Sequence, residues 1–182
     1  DVCSSDLAML GGAGNVARNI TALGASVMFI AVVGDDSAGR DLAAMLGAEP
    51  AVAPSLLVEA GRPSTIKTRY IANAQQLLRA DSETERPIND QSAAEVVRLA
   101  AGAMASCDAM LLLDYAKVVL APDTVARLIA IAKDAGKPVV IDPKGGAFAR
   151  FRGAPAITPN RRAAAAARGL PDAPSDRAPP PM

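Results

Sequence analysis

The sequence has no histidine, no tryptophan and only two cysteines, and aromatic residues make up 3% of its 182 positions. Without histidine, Ser-His-Asp and Cys-His catalysis are excluded, along with the usual catalytic zinc sites. Cys3 and Cys107 stand far apart and form no CxxC pair, so free thiols in a reducing compartment are expected. No apolar run approaches the ~18 residues of a membrane span, and no signal-peptide pattern is present. The expectation is a cytoplasmic chain with no membrane partner. Neither sign of charge dominates, because 19 basic and 19 acidic residues cancel. That balance gives no general drive towards nucleic acid.

What the chain does have is aliphatic. Hydrophobic residues reach 51%, so the core must be built from Ala, Val, Leu and Ile, with length enough for one α/β domain. Apolar runs at Ser26–Val33, Ala109–Leu113 and Val139–Ile141, and a shorter one at Ala156–Thr158, read as strands buried in a parallel sheet. Helical stretches over Ala38–Leu46, Asp90–Ala105 and Asp123–Ala135 alternate with them, and this βαβα order predicts a mostly parallel sheet flanked by helices. A short strand is expected around Leu56–Val58. Thr65–Ile71 pairs with Gln76–Arg79 as a hairpin carrying polar groups on both faces. Such a ribbon suits a lid, spanning about residues 55–81, with an exposed edge hairpin as the plainer alternative. Residues 1–162 read as one domain and 163–182 as an Ala/Pro-rich tail. Five prolines in the thirteen residues Leu170–Met182, without periodicity, predict disorder there. A first residue of Asp1 is what a piece of a longer protein would show.

The organising stretch is Leu10-Gly11-Gly12-Ala13-Gly14-Asn15-Val16-Ala17-Arg18-Asn19-Ile20. Its glycines permit a turn and close ligand approach, and Val16, Ile20 and Leu23 follow on one helical face until Gly24 stops the helix. The N–H groups and positive dipole end of such a helix suit a polar or anionic ligand. Two readings compete, a cofactor loop and the floor of a sugar site. Gly12-x-Gly14-x-x-Ala17 satisfies the dinucleotide pattern, and Asp35 lies 21 residues beyond Gly14. That pattern needs a strand immediately before the glycines, and Asp1–Met9 offers no convincing one. Polar residues also collect just after the apolar strands, at Asp114, Lys117, Asp142, Lys144 and Asn160. Carboxyl ends of strands are where open α/β sheets bind ligands.

A set of strings then points to a family. Gly11-Gly12-x-Gly14-Asn15-Val16-Ala17-Arg18-Asn19-Ile20 with Leu23-Gly24-Ala25 resembles the first signature of the ribokinase-like (PfkB) carbohydrate kinases. Val33-Gly34-Asp35-Asp36-x-x-Gly39 is similar to the segment that follows it there. Arg62-Pro63-Ser64-Thr65-Ile66-Lys67-Thr68-Arg69-Tyr70 and Gln75 to Asp81 look like the lid of the heptose 7-phosphate kinases within that family. Asp114-Tyr115-Ala116-Lys117, Ile141-Asp142-Pro143-Lys144-Gly145, Phe148 to Ala154 and Ile157-Thr158-Pro159-Asn160 continue the likeness, which runs from Gly11 to Arg162.

The resemblance implies a ribokinase-like fold with a small β lid, incomplete at both ends. It also implies phosphoryl transfer from ATP, with Mg2+, to the anomeric hydroxyl of D-glycero-β-D-manno-heptose 7-phosphate, on the route to ADP-heptose and lipopolysaccharide core. By the same resemblance Gly11, Gly12 and Asn15 would reach sugar hydroxyls, and Lys67, Arg69 and Arg79 would hold the existing phosphate. Asp114 and Asp142 would accept from hydroxyls, Lys117 and Lys144 would meet phosphate oxygens, and Asn160 would lie at the nucleotide. The partner is a small sugar phosphate, a homodimer through the lid is compatible with it, and some members carry a fused nucleotidyltransferase domain.

Four departures stand out. Only ten residues precede Gly11, where the family carries a strand with a sugar-binding acid. Asn160-Arg161-Arg162-Ala163 replaces Asn-x-x-Glu, whose acid helps organise magnesium. Val118 stands where glycine is usual, and no Gly-Ala-Gly-Asp string, the source of the catalytic base and a phosphate cradle, occurs in the 182 residues. Little phosphoryl transfer is expected without those parts, and no catalytic residue is assigned. Another ribokinase-like sugar kinase, a non-catalytic sugar-phosphate-binding fragment and, last, an NAD-dependent dehydrogenase are the alternatives.

Overall fold

Helix α1, Gly12–Ala22, starts at the glycine turn with Gly11 as its N-cap. It ends as the sequence predicts. Gly24 takes φ +89, its N–H bonds to the Thr21 carbonyl, and the Ala25 N–H reaches back to Ile20, which together close a Schellman turn. The buried face differs from the one expected. Leu10, Gly14 and Ala17 are buried while Leu23 is 88% exposed, because Leu23 is the C-cap, where the chain has already begun to leave the helix.

A computed structural model describes residues 7–115, 119–144 and 147–169. Strand β1, Val27–Gly34, runs parallel to β2, Val52–Glu59, with Val27 opposite Val52 and Gly34 opposite Glu59. The short strand expected around Leu56–Val58 is thus eight residues long. Between them lies α2, Ser37–Gly47, whose N-cap Asp36 accepts from the Gly39 N–H at 2.7 Å. β3, Ile66–Ala72, and β4, Gln75–Ser82, form an antiparallel hairpin turning through Asn73 and Ala74, both at positive φ. α3, Asp90–Ala103, is capped by the side chain of Asn89. β5, Met110–Asp114, then pairs in parallel with β6, Val139–Pro143, and β6 with β7, Ala156–Ile157. α4, Pro122–Asp134, has proline in its first turn and is followed by Gly136 at φ +68. A 3-10 turn, Phe148–Phe151, and α5, Arg161–Ala167, complete the order.

The parallel strands therefore form two ladders among the described residues, β1-β2 and β5-β6-β7, rather than one sheet. The core lies on the second. Val125, Leu128, Ala132, Val139 and Ile141 are almost fully buried, with Val97, Met104 and Phe151 around them. α3 joins the two ladders, packing on α4 and on both β1 and β2, and Ile30 of β1 packs against the core. β1 is only half-buried over most of its length, against the expectation of burial on both faces. The boundary expected at 162/163 falls inside the seven-residue α5, where Ala163 is buried, and the described residues end at Gly169.

Candidate functional site

Three elements meet at the glycine turn. Gly12 sits at φ +46, a conformation that favours glycine, and a Cβ there would lie 3.5 Å from the ring of Tyr115. Tyr115 follows β5 directly, and its hydroxyl donates to Asp142 Oδ2 at 2.9 Å on the neighbouring strand β6. Burial and the facing carboxylate push the Tyr115 phenol up to about 12, so it remains a donor at neutral pH. The Lys144 N–H bonds to the Asp114 carbonyl at 2.7 Å, tying the ends of β5 and β6 together. Gly12, Tyr115, Asp142 and Lys144 are thus gathered at one end of the sheet.

Asp114 is placed differently. It is 3% exposed, and its carboxylate is ion-paired with the guanidinium of Arg150, which lies 4.8 Å over the ring of Phe151. Asn15 is exposed and lines an open groove of about 500 Å³ with Arg18, Asn19, Thr21 and Glu49, where Arg18 and Glu49 pair at 2.8 Å. Gly11 is exposed with open space around it, and no side chain caps the helix it begins. Asn160 caps α5, accepting from the Ala163 N–H at 2.8 Å. Lys117 lies outside the described residues.

The hairpin sorts its side chains by face. Register places Arg69 opposite Arg79 and Lys67 opposite Asp81, while Tyr70 faces Leu78 and Ile66 faces Ser82 on the other side. One face is charged, and the other carries Ile66, Tyr70, Leu78 and Ala80 with the hydroxyls of Thr68 and Ser82, so polar groups stand on both faces as expected. Lys67 Nζ contacts Asp81 at 2.6 Å and Glu83 at 3.1 Å, and Arg79 Nε contacts Asp81 at 2.9 Å. The Asp81 contact, reinforced by Glu83 against some desolvation, raises the Lys67 ammonium above its ordinary range. Like charges directly opposite on a ladder repel unless an anion lies between them, and Arg69 with Arg79 is such a pair.

Where the hairpin joins the body, the charges are buried. Glu59 and Arg62 have side chains 4% exposed and approach to 3.7 Å. Arg62 Nη1 donates to the Arg86 carbonyl at 2.8 Å, Arg86 Nη2 to the Gly61 carbonyl at 3.0 Å, and the Asn89 N–H to Glu59 Oε2 at 3.0 Å. Both chain crossings into the hairpin are therefore stitched to one carboxylate. Ser64 Oγ accepts from the Gly34 N–H at 2.9 Å, and the Ser64 N–H donates to Asp36 Oδ2 at 2.7 Å. A Cβ on Gly34 would stand 2.0 Å from the Arg62 carbonyl oxygen, and one on Gly39 2.4 Å from that of Gly34. The Gly34-Asp35-Asp36-x-x-Gly39 string is thus the socket of the hairpin.

Sequence reasoning did not single out Tyr115, Arg150, Glu59, Arg62, Ser64 or Arg86. Tyr115, Arg62, Ser64 and Arg150 fall inside the quoted strings, which was the available signal. Glu59 and Arg86 carry no local pattern. Among the described residues there is no group of three or more His, Cys, Asp or Glu side chains able to hold a metal ion, and no helix long and apolar enough to cross a membrane.

Residues 7–178 match the model of the pfkB family carbohydrate kinases. The chain is 50% identical over 169 residues to the bifunctional protein HldE of Acidiphilium cryptum, covering 92% of this chain and 35% of that protein. It is 49% identical over 165 residues to the bifunctional protein HldE of Caulobacter sp. strain K31, covering 89% and 33%. The chain thus spans about a third of the length of these relatives. Among solved structures it resembles the tetrameric inhibited form of phosphofructokinase-2 from Escherichia coli, with a TM-score of 0.70 at 19% identity, over 88% of this chain and 52% of the other. A possible 1-phosphofructokinase from Thermotoga maritima gives 0.67 at 12% identity, over 88% and 54%. Those likenesses bear on the fold alone, and it is ribokinase-like. With nearly the whole of its length matched, the chain belongs to the pfkB family of carbohydrate kinases.

Proposed function

We propose that the chain is the sugar-phosphate-holding part of a kinase acting on D-glycero-β-D-manno-heptose 7-phosphate at its anomeric hydroxyl, and that it does not turn over alone. The observation that carries this is the charged face of the hairpin. Lys67, Arg69 and Arg79 stand together with one cross-strand pair of like charges, which a bound phosphate would relieve. The Gly11–Gly12 turn, Asn15 and Asp142 supply groups for sugar hydroxyls, and Lys144 a cation beside them. Lys67 and Arg79 would give up Asp81, and Lys67 also Glu83, for phosphate oxygens, an exchange among partly exposed charges. A closed hairpin would shield the sugar from water.

ATP and Mg2+, which the family implies, find a poor fit here. Asn160 Oδ1 caps a helix, and the residues after it are Arg161, Arg162 and Ala163. That donor set does not suit a hard cation, so no transfer step is assigned to these residues. The opposite hairpin face, with Ile66, Tyr70 and Leu78 exposed, is where two copies would pair, and sedimentation would report a dimer that Leu78→Lys abolishes. A cytoplasmic location accords with free Cys107.

Calorimetry tests the reading with three ligands. Saturable binding of the heptose 7-phosphate, with no ADP release above background when ATP is added, is the expected result. Clear turnover would contradict the inactive-alone part, and binding of NAD without the sugar phosphate would overturn the reading itself.

A further inference from the structure

We infer that the two strand-end aspartates have different tasks: Asp142, positioned by Tyr115, is the carboxylate that meets a sugar hydroxyl, while Asp114, closed off by Arg150, holds the floor of the site in place. This rests on the sugar-phosphate reading above and goes further by assigning Tyr115 and Arg150 as positioning residues.

The asymmetry is geometric. Asp114 is 3% exposed and ion-paired with Arg150, whose guanidinium is backed by the buried ring of Phe151. Turning that carboxylate to a ligand would strip a buried acid of its guanidinium partner, a large cost that one hydroxyl contact does not return. Asp142 is half-buried on the adjacent strand, one residue before Pro143, which pairs with Asp114. Its Oδ2 accepts from the Tyr115 hydroxyl at 2.9 Å, which fixes the carboxylate rotamer and leaves Oδ1 as the oxygen a ligand hydroxyl would reach. The Tyr115 ring also lies against Gly12. One side chain therefore sets the distance between the glycine turn and the accepting carboxylate. A residue that ties both ligand-facing elements is suited to discriminate sugars by where their hydroxyls fall.

The chain has two tyrosines and no tryptophan, which makes Tyr115 directly observable. In a Tyr70→Phe background the phenolate absorbance at 295 nm comes from Tyr115 alone. Adding Asp142→Asn should move its titration down from about 12, because the charge that opposes phenolate formation is removed. Adding Asp114→Asn should lower the melting temperature through the Arg150 pair and leave that titration high. Calorimetry with D-glycero-β-D-manno-heptose 7-phosphate should then show binding weakened at least ~10-fold by Asp142→Asn, with the melting temperature nearly kept. Tyr115→Phe, which retains the ring against Gly12, should weaken binding by less than Asp142→Asn does.

The reverse pattern, Asp114→Asn abolishing binding in a folded chain while Asp142→Asn binds as the parent does, would overturn the assignment. So would a Tyr115 titration indifferent to Asp142→Asn. If the parent chain binds no heptose phosphate while the Tyr115 titration still responds to Asp142, the substrate reading fails and the positioning of Asp142 by Tyr115 stands.

Discussion

The hairpin and its root are both built from charged residues, and they use charge in opposite ways. Every residue of β3 and β4 is exposed, and Lys67, Arg79, Asp81 and the half-buried Glu83 pair across a partly solvated face. At the root, Glu59 and Arg62 are buried and each holds a backbone group of the other chain crossing. Exposed pairs in high dielectric contribute little and change partners readily, whereas a buried pair cannot lose one member cheaply. The hairpin face is therefore free to be recharged by a ligand, and the root decides where that face points.

The root should be the more sensitive of the two to substitution. Arg62→Met leaves the buried Glu59 carboxylate with only the more distant Arg86 guanidinium, at 3.9 Å, and should cost about 3 kcal/mol in urea denaturation. A loss as small as that of an exposed pair would put the two regions in one class. Gly34→Ala comes next, because its new Cβ would meet the Arg62 carbonyl oxygen at 2.0 Å. Displacing either β1 or the root should cost about 1–3 kcal/mol, read as a fall in melting temperature.

Acid should also separate the regions. The Ser64 N–H and hydroxyl, the Gly39 N–H and Arg40 hold the Asp36 carboxyl below its ordinary value of 3.8, although some desolvation opposes them. Burial alone would raise Glu59, but bonds from Asn89 and Ser92 and the charges of Arg62 and Arg86 outweigh it and bring it below 4.5. For a carboxyl lowered on folding, the stability it contributes is complete above the unfolded value and is lost as pH falls through the folded one. The urea midpoint should therefore drop as pH falls below about 4.5, and Glu59→Gln should flatten that slope. The smallest effect belongs to the hairpin. Lys67→Ala should change stability by less than about 1 kcal/mol while weakening the binding of a sugar phosphate measured by calorimetry.

Much of the fold was legible because it is encoded locally. Asp36 before a helical run, Gly24 after one, Pro122 at a helix start and the alternation of Thr65–Ile71 each specify an element through nearby residues alone. The side-chain placements were not legible where the partner lies far along the chain. Asp114 reads as a strand-end acceptor until Arg150, 36 residues on, is seen beside it, and no local pattern announces that Arg62, Arg86 and Asn89 converge on Glu59. Leu23 fits the helical face by spacing, but spacing does not show where the cap turns the chain. Register was the other hidden quantity. Only the pairing of Arg69 with Arg79 and Tyr70 with Leu78 reveals that the charges of both strands gather on one face of the hairpin.

The central claim is that this charged face, held in place by the buried root, takes the phosphate of a sugar phosphate. Calorimetric titration of the chain with D-glycero-β-D-manno-heptose 7-phosphate and with the same heptose lacking its phosphate tests it most directly. Saturable binding of the first is expected, weaker by at least ~10-fold for the second, with the gap closed in an Arg69→Ala, Arg79→Ala double variant. Equal affinity for the two sugars, or a gap untouched by the double variant, would contradict it.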